Sequence, residues 1–127
     1  MSSIAPLFKN IPNKDYMHLF SADEVIGSRV AEILKYKKED ISVATKVPLS
    51  SVRYDNKMSH ELKTWLTEWA IAINLVAEFF NNVEKTTLWF STPNPLLGDM
   101  SPRNMIKVGR FQKLLKFIQS LRSPLHI

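Results

Sequence analysis

At 127 residues, 45% of them apolar, the chain is long enough for one core or for two small lobes sharing a boundary. It has no cysteine, which excludes disulfides, a thiol nucleophile and sulfur-ligated zinc; its longest apolar window, residues 69–80, is interrupted by Asn74 and Glu78 and is too short to span a bilayer. Seventeen Lys and Arg against twelve Asp and Glu give a formal charge of +5, which favours an acidic partner such as nucleic acid or an acidic protein surface.

Residues 1–20 contain Pro6 and Pro12, with apolar side chains scattered at Leu7, Phe8, Tyr16, Met17 and Leu19, and read as an irregular arm tacked against the body. The opening MSSIAPLFKN lacks the charged and apolar regions of a secretory signal, so a cytoplasmic location is expected. Ser21 and Glu24 have the spacing of a capping box, with Phe20 as staple. They predict a helix over 22–34 that turns Val25, Ile26, Val30, Ile33 and Leu34 to one side. The basic residues at 35, 37 and 38 suit the negative end of its dipole.

Two short helices are expected over 39–46 and 49–54. Pro48 has no backbone donor for a continuous helix, so the chain stops and restarts there. Ile41, Val43 or Ala44, Val47, Leu49 and Val52 are the candidate core residues of this pair. A long helix capped by Ser59 carries the main apolar stripe, Leu62, Trp65, Leu66, Trp69, Ile73, Val76, Ala77 and Phe80. A short helix over 83–90 follows, with Leu88, Trp89 and Val83 as its inward candidates. Ser101 before Pro102 starts another helix that Gly109 closes, and a last one over 110–121 buries Phe111, Leu114, Leu115, Ile118 and Leu121 before Pro124. The expected fold class is all-α with about seven helices. The expected divisions are an arm at 1–20, a helix-turn-helix region at 21–58, a long connecting helix at 59–82 and a C-terminal unit at 83–127.

The segment 37–57 has the outline of a helix-turn-helix, and "VPLSSVR" is the part that most resembles phage-repressor-like (Xre-type) DNA-binding domains. The resemblance implies that Lys46, Ser50, Ser51, Arg53 and Lys57 face operator DNA, where hydroxyls and cations meet phosphates or base edges. Two positions depart from the family pattern: Ser42 stands where a small alanine is usual and Lys46 where the turn usually has glycine. A non-glycine residue in a left-handed turn costs on the order of 1 kcal/mol. Glu39 and Asp40 can cap the first helix but would oppose phosphate if that end met DNA. A structural three-helix unit without DNA contact stays open beside the DNA reading.

The corner from Trp89 to Arg110 concentrates three prolines and two glycines. Pro93 and Pro95 lower the ordering entropy of a sharp reversal, Asn94 can satisfy backbone locally, and Gly98 permits a positive φ, with Leu96 and Leu97 expected in the seam between helices. The sequence from residue 77 to 121 resembles the toxin-binding domain of Xre/MbcA/ParS antitoxins, with Trp89, Pro93, Asn94, Pro95, Leu97, Gly98, Pro102 and Gly109 at matching places. Asp99 and Arg103 depart from that pattern. The resemblance implies a partner, a RES-domain toxin that degrades NAD, and an antitoxin that covers its active-site entrance and represses its own operon as a homodimer or a toxin–antitoxin hetero-oligomer. It also implies toxin-facing positions at Met100, Arg103, Arg110, Lys113, Arg122, Leu125, His126 and Ile127. From Met100 to the end there are six basic residues and no carboxylate.

His18, His60 and His126 are far apart in sequence, and no nucleotide-binding glycine loop or catalytic cluster is evident, so no enzyme activity, metal or cofactor is expected. Two other functions remain open: a stand-alone helix-turn-helix transcriptional regulator, and a helical protein-binding module whose helix-turn-helix is structural only.

Overall fold

The computed structural model describes residues 14–122. Its described part is mostly helical, in the order β1 (Phe20–Ser21), β2 (Glu24–Val25), α1 (Gly27–Leu34), α2 (Lys38–Thr45), α3 (His60–Phe80), α4 (Val83–Ser91), α5 (Pro102–Lys107) and α6 (Phe111–Arg122). Single 3-10 turns at Leu49–Ser51 and Pro95–Leu97 interrupt the connections. The all-α class holds, with six α-helices and one small hairpin among the described residues rather than seven helices.

The hairpin replaces the first turns of the helix expected over 22–34. The Asp15 carboxylate accepts the backbone N–H groups of Leu19 (2.7 Å) and Phe20 (2.8 Å), and Asn74 on α3 donates to the same carboxylate at 2.9 Å. Asn74 in turn accepts the N–H of Met17 at 2.9 Å. The chain is therefore held extended as it enters Phe20. Ala22 and Asp23 then reverse it with φ of 50° and 66°, the left-handed pair of a tight hairpin turn. Ser21 and Glu24, whose spacing suggested a capping box, face each other across the two strands instead. The arm behaves as expected where it is described: Met17 and Leu19 are buried and Tyr16 packs on the core. Leu7 and Phe8 lie outside the described residues.

Helix α3 is the axis of the fold. Ser59 caps it by accepting the N–H of Leu62, and every side chain from Glu68 to Ala77 is buried. A helix buried on all sides needs neighbours on all sides; α1, α4, α6 and β2 supply them. Trp69 is fully buried and Trp65 packs against the core, so both act in packing. At α1 the closest approach is made by Gly27: a Cβ there would lie 2.7 Å from the Tyr54 ring and 2.8 Å from a Leu66 methyl. Leucine at 121 was expected in the core but is partly exposed, on the rim described below.

On α4 the buried side chains are Thr86 and Phe90, whereas Leu88 is 64% exposed and Val83, also expected inward, is half-exposed. The expected inward Leu88 is thus reversed: Phe90, two residues and about 200° further round the helix, is fully buried, which turns Leu88 outward. Helix α5 packs on α2, α4 and α6, which joins α2 to the last helices through shared packing.

Candidate partner-binding surface

The candidate DNA-facing residues are all exposed. Helix α2 starts as expected, with Asp40 accepting the Lys37 N–H at 2.8 Å, and ends at Lys46 in the left-handed conformation (φ 64°), which glycine adopts more readily. Two hydroxyls steady that turn. Ser42 donates to the Val47 carbonyl at 2.6 Å, and Thr45 donates to Ile41 and accepts from Val47. The second helix, expected over 49–54, is only the 3-10 turn Leu49–Ser51, and Leu49, expected inward, is half-exposed. Residues 52–54 leave the turn because Val52 and Tyr54 must pack on the body, with Val52 at φ −81° and ψ 106°. Arg53 does not present a free guanidinium: it makes a bidentate pair with Asp55 at 2.7 and 2.6 Å. That pair and the Lys57 N–H pull the Asp55 carboxyl down to about 2.

Arg103, expected to face a partner, is turned into the molecule. Its guanidinium donates to the carbonyl oxygens of Leu34 (2.6 Å) and Lys35 (3.0 Å) and lies 5.2 Å over the Tyr36 ring. Helix α1 ends in a left-handed Lys35 (φ 60°) with the Tyr36 N–H returning to Ala31. The carbonyls left over at that end carry the negative pole of the helix, and Arg103 neutralises it. The Tyr36 hydroxyl donates back to the Arg103 carbonyl, and burial raises the tyrosine against the opposing Arg103 charge. One turn on, Lys107 pairs with Asp40 at 2.6 Å. The Lys107 contact and then the Lys37 N–H hold the Asp40 carboxyl below the ordinary carboxylate range.

The corner is built as its residues suggest. Asn94 accepts the N–H of Leu96 on its side chain and those of Leu97 and Asp99 on its carbonyl, while its own N–H bonds to Met100. Gly98 (φ 71°) and Gly109 (φ 85°) take the left-handed positions, and Ser101 caps α5 with buried Pro102 at its first turn. Leu97 and Met100 pack against the core, but Leu96, expected in the seam, is 76% exposed. A 3-10 turn has about three residues per turn, so consecutive leucines cannot both face inward.

The corner delivers α6 with Phe111, Leu114, Leu115 and Ile118 buried and Arg110, Gln112, Lys113, Lys116 and Ser120 exposed. Trp89 stacks on Phe117 with ring centroids 6.4 Å apart and planes within 6°. Beside this stack an open apolar groove of about 260 Å³ runs between the end of α3, α4 and α6, bordered by Phe79, Phe80, Trp89, Ile118 and Leu121. Phe79 is 57% exposed. It lies outside the apolar stripe expected for α3; the Phe79–Phe80 doublet is the signal in the sequence, since neighbours on a helix point about 100° apart and only one can follow the core stripe. The side chain of Arg122, and Leu125, His126 and Ile127, lie outside the described residues.

Among the described residues, no helix is long and apolar enough to cross a membrane. No family model, curated protein or solved structure matches this chain.

Proposed function

We propose that this chain is an antitoxin of a type II toxin–antitoxin pair, binding and neutralising a RES-domain, NAD-degrading toxin. The observation that carries the reading is the exposed, carboxylate-free face of α6 lying next to an apolar groove that no described residue covers. An exposed apolar patch rimmed by charge is the ordinary signature of a protein interaction site. The corner residues Trp89, Pro93, Asn94, Pro95, Leu97, Gly98, Pro102 and Gly109, which carry the family resemblance, set the angle of this face. Met100, Arg110 and Lys113 are the described candidates for toxin contact, with Arg122, Leu125, His126 and Ile127 beyond. Arg103 serves the reading as a positioning residue, because its guanidinium is engaged on α1.

Autorepression through Lys46, Ser50, Ser51, Arg53 and Lys57, as a homodimer or within a toxin–antitoxin complex, is the second part of the proposal. A protein-binding module with a purely structural helix-turn-helix is the alternative to that part, favoured by the single 3-10 turn at Leu49–Ser51 and by the Asp55 pairing of Arg53. Coexpression with the adjacent gene product, copurification and an NAD-consumption assay test the inhibitor. Copurification with loss of NAD consumption is expected. Undiminished NAD consumption by the toxin in the presence of excess chain would overturn the reading.

A further inference from the structure

The groove and α6 together describe the chemistry of what sits on them. Steps of four residues place Lys113, Phe117 and Leu121 along one flank of α6, with Arg110 at the residue just before its first turn. The Trp89–Phe117 stack fixes that flank as the one turned toward α4, and Leu121 borders the groove. The flank therefore runs from two cations to two apolar side chains over roughly 16 Å, about three helical turns. Arg110 and Lys113 are exposed, and neither makes an ion pair among the described residues. The enclosed part of the groove is only about 30 Å³, far below the ~300 Å³ at which small-molecule clefts begin, and its lining residues are all apolar. Both features suit inserted side chains better than a polar metabolite. A second copy would lay one carboxylate-free helix against another, so like charges would meet.

Resting on the partner-binding reading above, we propose that the groove between α3, α4 and α6 seats an amphipathic helix of the partner protein. Its apolar stripe enters beside Phe79, Trp89 and Leu121, and its acidic residues meet Lys113 and Arg110. Such helix-in-groove recognition draws affinity from the aromatic anchors and orientation from the charges. The order of chemistry along α6 sets the polarity of the guest: its acidic end lies over the start of α6 and its apolar end over the finish.

The test uses the full chain and two labelled 18-residue helical peptides with one leucine stripe, flanked by Glu in one and by Lys in the other, followed by fluorescence anisotropy. The Glu peptide is expected to bind about ten-fold more tightly. Arg110→Glu with Lys113→Glu is expected to abolish that preference, and Leu121→Glu to abolish binding of both peptides, with circular dichroism unchanged because all three positions are exposed. Equal or absent binding of the two peptides to the wild-type chain overturns the proposal. So does binding that appears only after removal of Ser123–Ile127, which would make the chain's own tail the occupant. Leu121-dependent self-association in sedimentation equilibrium overturns it in favour of a second copy. Toxin neutralisation that survives Leu121→Glu sinks the groove while leaving the inhibitor standing; a chain that binds the Glu peptide but no toxin does the reverse.

Discussion

Arg103 on α5 closes the C-terminal end of α1 by donating to the Leu34 carbonyl at 2.6 Å, across 69 residues of sequence. The same guanidinium reaches Lys35 and covers Tyr36, so one side chain ties the N-terminal helices to the C-terminal unit. Hydrogen bonds from a charged donor contribute about 1.5–3 kcal/mol each when partly buried, and the planar fork matters as much as the charge. Arg103→Ala is expected to lower unfolding free energy by about 2–3 kcal/mol, with Arg103→Lys recovering less than half. Urea denaturation of both variants measures this; wild-type stability in either would remove the capping role.

Gly27 sits where α1 presses on Tyr54 and Leu66. An added methyl cannot be absorbed by the tyrosine ring edge, and Leu66 is fully buried. Gly27→Ala is expected to destabilise by about 1–3 kcal/mol, the usual cost of overpacking. Thermal denaturation would contradict the close approach if the variant melted with or above the wild type.

Asp55 masks Arg53 at the proposed DNA surface. Asp55→Asn should free the guanidinium and raise affinity for non-specific duplex DNA, with the salt dependence steepened by roughly one counterion. Filter binding or anisotropy across a salt series reads both quantities. No DNA binding by either chain would remove the DNA-contact reading of this segment.

Asp40, paired with Lys107 and the Lys37 N–H, has its carboxyl lowered in the folded chain. Its contribution is therefore present above the unfolded carboxylate range, near ~4, and is lost as pH falls through the folded value. Asp40→Asn should melt below the wild type at pH 7, and the gap should close in acid. A gap independent of pH would assign the loss to packing.

Glu68 on α3 shifts the other way, because burial raises its carboxyl. A raised group favours the fold below its unfolded range and loses that advantage as pH rises through the folded value. Glu68→Gln is expected to raise the melting temperature at pH 7 and leave it nearly unchanged near pH 4. The reverse pattern would mean that the ionised carboxylate is stabilising.

Much of the architecture was legible because helix ends are written in local chemistry. Ser59, Ser101 with Pro102, Gly98 and Gly109 each act through groups within four residues of themselves, and all take the conformations their types imply. The stripe from Leu62 to Ala77 was equally readable, since periodicity alone marks a buried face. The candidate surface was legible only in part. The cations of α6 could be counted from the sequence, but spacing, which puts Leu88 and Phe90 on opposite faces of α4, could not say which of them turns inward, and the exposure of Phe79 and Leu121 is set by the packing of α3 and α6.

The sequence by itself determined the helical class, the breaks at Pro48 and around the corner, and the basic character of the final helix, because each follows from backbone restriction or formal charge over a few neighbours. Tertiary structure alone decided the hairpin, where Asp15 meets Asn74 from 59 residues away, and the inward turn of Arg103 onto α1. Both outcomes satisfy polar groups whose partners lie on other elements. Which partner comes within reach is settled only when the helices pack.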